Sequence, residues 1–149
     1  MTDIPSPEEV EGLFPDLLET RKRMDEASAQ ANARLAQARD GLKKISLGIS
    51  AWVPIGAPGL DVPDEAHFGY ARLADDDAEF STPRWDLYIS EGPPLEPSAD
   101  GIPLGYEAPK SALSCRRALR IAAARAIPRL IREIVKRAEE VLNKEKNND

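Results

Sequence analysis

Residues 67–73 read HFGYARL, and their pattern predicts the middle strand of a small antiparallel sheet. Side chains alternate along this run with the two-residue period of a β-strand. The alternating sets are Phe68, Tyr70 and Arg72 on one side and His67, Gly69, Ala71 and Leu73 on the other. Residues 46–55 (SLGISAWVPI) and 84–90 (RWDLYIS) alternate in the same way. The connections between the three runs are too short for helical crossovers, so we predict a three-stranded antiparallel meander.

Long helical patterns flank this predicted sheet on both sides. From about Asp16 to Lys44, apolar residues recur at a seven-residue interval: Leu17, Met24, Ala31, Ala38 and Ile45. This seam favours packing within the molecule, with pairing to another helix as the alternative. From about Ser111 to Lys144 a broad apolar face runs along a second helix, and Pro128 inside it is expected to kink or split the helix. Together these patterns predict an α+β fold with both helices on one sheet face.

The remaining segments divide the predicted single domain, residues 1–149, into minor parts. In residues 1–15, Ser6 and Pro7 of the sequence SPEEV are a helix-start signal, so a turn or short helix is expected there. Residues 92–110 form a predicted long loop, in which the stretch from Gly92 to Pro109 has five prolines and three glycines. Two interpretations of this loop stay open: a segment packed over the core, or an exposed binding loop.

Composition restricts the class of protein. The net charge is −6, with hydrophobic residues at 42% and charged residues at 31%, as in a globular domain. No apolar run approaches the roughly 20 residues of a membrane-spanning helix, and the acidic first residues lack the apolar core of a signal peptide. One cysteine, Cys115, excludes an internal disulfide. We therefore expect a cytoplasmic protein with no membrane partner.

The sequence offers little for catalysis. His67 is the only histidine, and one histidine with one cysteine cannot form a structural zinc site. Phosphate-binding glycine motifs are absent. The acidic run Asp75, Asp76, Asp77 and Glu79 permits a divalent-metal-dependent enzyme, although a solvated turn is the better interpretation. We predict no catalytic residues, no metal site and no cofactor.

A basic stripe follows the C-terminal helical pattern. Its members are Arg125, Arg129, Arg132 and Lys136, which lie on one side of a helix opposite the apolar face. Such a stripe can follow a phosphate backbone, so association with nucleic acid is an alternative function. Neighbouring glutamates and a sequence pI near 4.9 make it less favoured than a solvated helix face.

Arg116, Arg117 and Arg120 conflict with the core pattern. In a helix that begins at Ser111, all three project to the apolar side, where unpaired guanidinium groups are very costly. Either this end of the helix extends beyond the core, or acids of the sheet and loops pair with the arginines; the candidates are Asp86, Glu91 and Glu107. If they are uncovered, the three arginines are a binding site for an anion or a partner.

These features favour a non-enzymatic protein-interaction module, such as a small regulator or inhibitor that binds a protein partner or associates with itself. We expect one sheet face to stay partly open. Trp52, Trp85 and Tyr106 are the candidate residues of its partner surface.

Overall fold

The computed structural model describes residues 3–57, 59–73, 83–92 and 108–147. Two helices precede an antiparallel sheet and one long helix follows it, which confirms the predicted α+β class. The elements are α1 (Pro7–Glu11), α2 (Phe14–Ile45), β1 (Ala51–Pro54), β2 (His67–Leu73), β3 (Arg84–Ser90), β4 (Lys110–Ser111), a 3₁₀ helix (Ala112–Ser114) and α3 (Arg117–Asn147). None of the described helices is long and apolar enough to cross a membrane.

The chain enters its first helices as the sequence predicts. The backbone N–H of Glu9 donates to the Ser6 hydroxyl at 3.2 Å, which caps α1. Gly12 and Leu13 keep right-handed helical backbone angles between α1 and α2, so the two helices nearly continue one another. Pro15 lies in the first turn of α2, where a backbone N–H would have no carbonyl partner within the helix, so its absence costs no hydrogen bond.

Strand β1 is shorter than predicted. It begins at Ala51 rather than Ser46, because Ser46 and Gly48 have φ angles of 55° and 69°. These left-handed conformations are incompatible with a strand. Ser46 instead ends α2, and its N–H donates to the carbonyl of Leu42.

The described part of the sheet has four strands in the order β1-β2-β3-β4, all antiparallel, where three were predicted. The fourth strand pairs Ser111 with Tyr88 and Lys110 with Ile89. Lys110 was predicted to end the long loop, and residues 93–107 of that loop lie outside the described residues. The prediction failed here because a two-residue strand has no periodicity to detect.

Both helices cover one face of the sheet, as predicted. Leu35 of α2 and Leu130 of α3 are fully buried in one cluster with Phe68 of β2. The register places the alternating residues of all three long strands on this face; they are Ala51, Val53, Phe68, Tyr70, Leu87 and Ile89. The other face is not bare, because Ala71, Leu73 and Tyr88 are buried there in a second cluster.

Helix α3 begins six residues later than predicted, at Arg117. Residues 110–111 are extended because they pair with β3, and a turn of 3₁₀ helix and the extended Cys115 follow. Pro128 lies inside α3 and does not split it. The predicted apolar face is buried at Leu119, Ala123, Ala126, Leu130 and Ile134, whereas Ile131, Val135, Val141 and Leu142 are exposed.

Candidate functional site

A groove of about 920 Å³ lies between α3, the connection from β1 to β2, and Met24 of α2. Its lining is mainly apolar and includes Ile55, Leu60, Val62, Ala118 and Ile121. Four arginines also line it, namely Arg116, Arg117, Arg125 and Arg129, together with Asp61 and Asp64. We call it the arginine groove. It brings together four of the seven basic residues that the sequence selected.

One wall of the arginine groove is an ordered turn in the β1–β2 connection. The N–H of Ala57 donates to the carbonyl of Val62 at 3.3 Å, and the N–H of Leu60 donates to Ala57 at 3.0 Å. Gly56 is needed at the base of this turn, because a Cβ there would lie 2.3 Å from the carbonyl oxygen of Asp64. Ile55 and Val62 are buried beneath the turn. The wall is therefore fixed by hydrogen bonds and by core packing.

Arg116 joins the turn to the end of β3. Its guanidinium forms an ion pair with Glu91, and its Nε lies 3.4 Å from Oδ2 of Asp61. Nη2 also donates to the backbone carbonyl of Asp61 at 3.0 Å. The hydrogen bond that Arg116 donates to Glu91, aided by the charges of Glu91 and Asp61, raises the pKa of Arg116 despite the desolvation that opposes it. Glu91 was one of the three acids expected to pair with these arginines.

The partners of Arg117 and Arg120 lie on α2 rather than on the sheet or the loops. Arg117 Nη2 lies 3.0 Å from Oδ1 of Asp25. Arg120 donates from Nη1 to Oδ1 of Asn32, and its buried Nε has no hydrogen-bond partner among the described residues. Of the other predicted acids, Asp86 accepts from the N–H of Leu87, and Glu107 lies outside the described residues. Of the two alternatives, pairing with acids of the sheet and loops holds for Arg116, whereas Arg117 and Arg120 have partners on α2 that the sequence did not indicate.

The predicted basic stripe of α3 is exposed along its length. Arg125 and Arg129 line the arginine groove, whereas Arg132 and Lys136 lie on α3 beyond it. Within the described part of the chain, none of these four residues forms an ion pair or a side-chain hydrogen bond. Arg125 and Arg129 are thus the cations of the groove that remain available to a ligand.

The predicted aromatic partner surface is not brought together. Trp85 lies on the face that the helices cover, where it stacks on Tyr70 with ring centroids 5.2 Å apart. Trp52 lies on the opposite face and packs against the second cluster. Tyr106 lies outside the described residues. The two tryptophans therefore do not form one surface.

An apolar surface lies at the N-terminal end of the molecule, and the predicted seam had included only Leu17 of it. None of the described residues before Ser28 is buried. Residues 3–23, which we call the N-terminal arm, precede Met24 and expose a set of large apolar side chains: Ile4, Val10, Leu13, Phe14, Leu17 and Leu18. The last five recur at the spacing of one helix face. That spacing was the available signal in the sequence.

Charge distinguishes the arm from the groove. The arm carries six acids and three bases, and the three bases are its last three residues, next to the body of the molecule. At the helical repeat, Glu11 and Asp16 lie on either side of the apolar face of the arm. The arm is thus acidic and apolar, whereas the arginine groove is basic and apolar.

The described residues show little chemistry of an active site. The His67 Nδ1 lies 2.6 Å from the backbone carbonyl of Glu65, a local contact. Burial, with Glu91 nearby, raises the pKa of the Cys115 thiol, which disfavours the reactive thiolate. No group of three metal-ligating side chains occurs among the described residues, and the acidic run 75–79 falls outside them.

Comparisons with protein-family models, with curated proteins and with solved structures found no match for this chain.

Proposed function

We propose that the protein is a non-enzymatic protein-binding module whose docking surface is the N-terminal arm. One observation carries this proposal: Leu13, Leu17 and Leu18 expose 65%, 62% and 62% of their surface on one side of a helix. Single exposed apolar residues are ordinary, whereas a contiguous apolar helix face is typical of an interaction site. Each such side chain stabilises a complex by about 1.5–3 kcal/mol when it is fully buried.

The position of the arm supports the same function. Its apolar residues are not the exposed edge of a core, because burial on α2 begins only at Ser28. An amphipathic helix that projects from a folded body can lay its apolar face into a groove of another protein. A small regulator or inhibitor acts in this way, by occupying a surface of its target.

The nucleic-acid alternative depends on the arginines of α3. Arg116 and Arg117 are already paired with acids, and apolar side chains lie between the arginines of the groove. A surface for a phosphate backbone consists of unpaired cations and polar groups. The apolar lining and the paired arginines therefore favour a protein ligand for the groove. The exposed stripe of Arg125, Arg129, Arg132 and Lys136, which is unpaired among the described residues, is the feature that supports nucleic acid as the second candidate.

Site-specific photo-crosslinking in the native host tests the proposed function. A benzophenone amino acid replaces Leu17, at the centre of the apolar face of the arm. The matched control carries the probe at Glu19, two residues further on, which points away from that face. After nuclease treatment, we expect Leu17 to form a discrete protein adduct that the Glu19 probe does not form.

A second variant tests whether formation of the adduct depends on the apolar face of the arm. Substituting Leu13→Glu together with Leu18→Glu is expected to abolish the adduct at Leu17 and to leave the circular dichroism spectrum unchanged, since neither side chain is buried. Equal adducts from the two probe positions, or none from either, would refute a docking role for the arm.

A further inference from the structure

We propose that the arginine groove receives the N-terminal arm of a second copy of this chain, so that two molecules exchange their arms. The inference rests on the proposed function of the arm as a docking surface, and it names the partner. It also identifies the ligand of the groove as an acidic amphipathic helix.

Complementary charge is the first argument for this pairing. Arg125 and Arg129 are exposed at the groove and form no ion pair among the described residues. Glu11 and Asp16 flank the apolar face of the arm and likewise have no ion pair there. Opposite charges beside matching apolar surfaces fix the orientation of a docked helix and exclude partners of the wrong charge.

Apolar surface and length also match. Leu60 and Met24 are large, exposed side chains at the groove, and Phe14 and Leu17 are their counterparts on the arm. The wall of the groove on α3, from Arg117 to Arg129, is about 18 Å long at the rise of an α-helix. The apolar run from Val10 to Leu18 measures about 12 Å by the same rise and therefore fits along this wall.

The arm of the same molecule cannot occupy the groove. Met24 lines the groove and belongs to α2, which continues as one helix from Phe14 through Met24. Arg117 contacts Asp25 and Arg120 contacts Asn32, so α2 and α3 run in the same direction and the arm lies beyond the start of α3, away from its own groove. Folding back would require breaking α2. A second molecule is the source that leaves the helix intact.

In a dimer of this kind, both grooves are occupied at once. Each molecule carries one arm and one groove, so a two-fold arrangement pairs each arm with the other molecule's groove and closes at the dimer. Exchange of an element between identical chains in this way has a low structural cost.

A charge-swap experiment on the full chain tests the exchange. The groove variant carries Arg125→Glu with Arg129→Glu, and the arm variant carries Glu11→Lys with Asp16→Lys. In the groove variant the substituted groove positions and the flanks of the arm's apolar face are both acidic, and in the arm variant those flanks and the unchanged Arg125 and Arg129 are both basic. Each variant should therefore self-associate about a hundredfold more weakly than the unmodified chain. In a one-to-one mixture the flanks of every arm face groove positions of opposite charge, and dimers should return. Sedimentation velocity across a concentration series at physiological salt measures all three.

The matched control reverses two other exposed cations of the same helix. Arg132→Glu with Lys136→Glu makes the same change of charge outside the groove lining and should leave the dimer unchanged. Circular dichroism verifies that every variant is folded.

Three results would overturn the exchange: an unmodified chain that is monomeric at all concentrations, a dimer that neither reversal weakens, or two monomeric variants whose mixture stays monomeric. A monomeric chain whose Leu17 probe still captures a different protein would refute the exchange alone and leave the proposed function standing.

Discussion

Gly69, in the middle of β2, shows how one residue shapes the sheet face that the helices do not cover. A Cβ at this position would lie 2.4 Å from two ring atoms of Trp52 and 2.7 Å from the carbonyl oxygen of Ala51. Gly69 and Trp52 are direct partners in the register, so the indole lies over the glycine. Its Nε1 is buried and has no hydrogen-bond partner among the described residues. The indole is held there by packing rather than by a hydrogen bond.

We predict that Gly69→Ala lowers the free energy of unfolding by about 1–3 kcal/mol, the usual cost of overpacking. The new methyl group must displace the indole from the second cluster. Urea denaturation followed by tryptophan fluorescence measures both the loss of stability and the changed environment of Trp52.

Gly41→Ala is the matched control for this substitution. Gly41 lies in α2, and a Cβ there meets no atom within 4 Å. Alanine should therefore raise the free energy of unfolding by roughly 0.5–1 kcal/mol through its helix propensity. If both glycine substitutions lowered the free energy of unfolding, steric contact with Trp52 would not be the cause of the loss at Gly69.

At the scale of elements, two polar pairs lie at the contact between α2 and α3. Arg120 is partly buried between the helices and donates to Asn32, a neutral acceptor. Arg117 pairs with Asp25 about two turns earlier on α2. These pairs allow arginines to lie beside a helix interface without leaving their charges unmet.

We predict that Asn32→Asp raises the free energy of unfolding by about 1 kcal/mol at pH 7, because a hydrogen bond between two charged groups is stronger than one to an amide. Chemical denaturation at neutral pH measures the change. Gln37→Glu is the control: Arg34 donates to Gln37 at 2.7 Å, but both residues are exposed. Its effect should stay within about 0.5 kcal/mol, as for surface ion pairs. Destabilisation by Asn32→Asp would show that the desolvation of the carboxylate exceeds its gain from Arg120.

At the scale of the whole molecule, the residues that stabilise the fold and those of the proposed docking surface are separate. Burial begins at Ser28, so the N-terminal arm adds no core. Replacing residues 1–20 by a single methionine should change the free energy of unfolding by less than about 0.5 kcal/mol. The measurement requires protein concentrations low enough that self-association adds no stability.

Leu35→Ala is the comparison for this deletion. Leu35 is a fully buried residue of the same helix, and its truncation should cost about 2–5 kcal/mol. A comparable loss on deletion of the arm would show that the arm packs against its own molecule, contrary to its exposure.

The sequence by itself determined the class of fold and the faces of its main elements. Two-residue alternation placed Phe68, Tyr70 and Leu87 on the side that the core covers, and the helical repeat placed Leu119 and Leu130 in the core. These patterns are local: each depends only on the geometry of its own strand or helix. The spacing of Leu13, Leu17 and Leu18 carried the same kind of signal for the arm.

Only the tertiary structure decided where α3 begins, which residues pair with the arginines, and that a groove exists. Arg116 contacts Asp61, which lies 55 positions earlier in the chain. Arg117 and Arg120 contact residues of α2 that lie 92 and 88 positions earlier. β4 likewise exists only because residues 110–111 reach the edge of β3. Periodicity describes one segment at a time, whereas these features arise when segments distant in the chain are packed together by their shared apolar core.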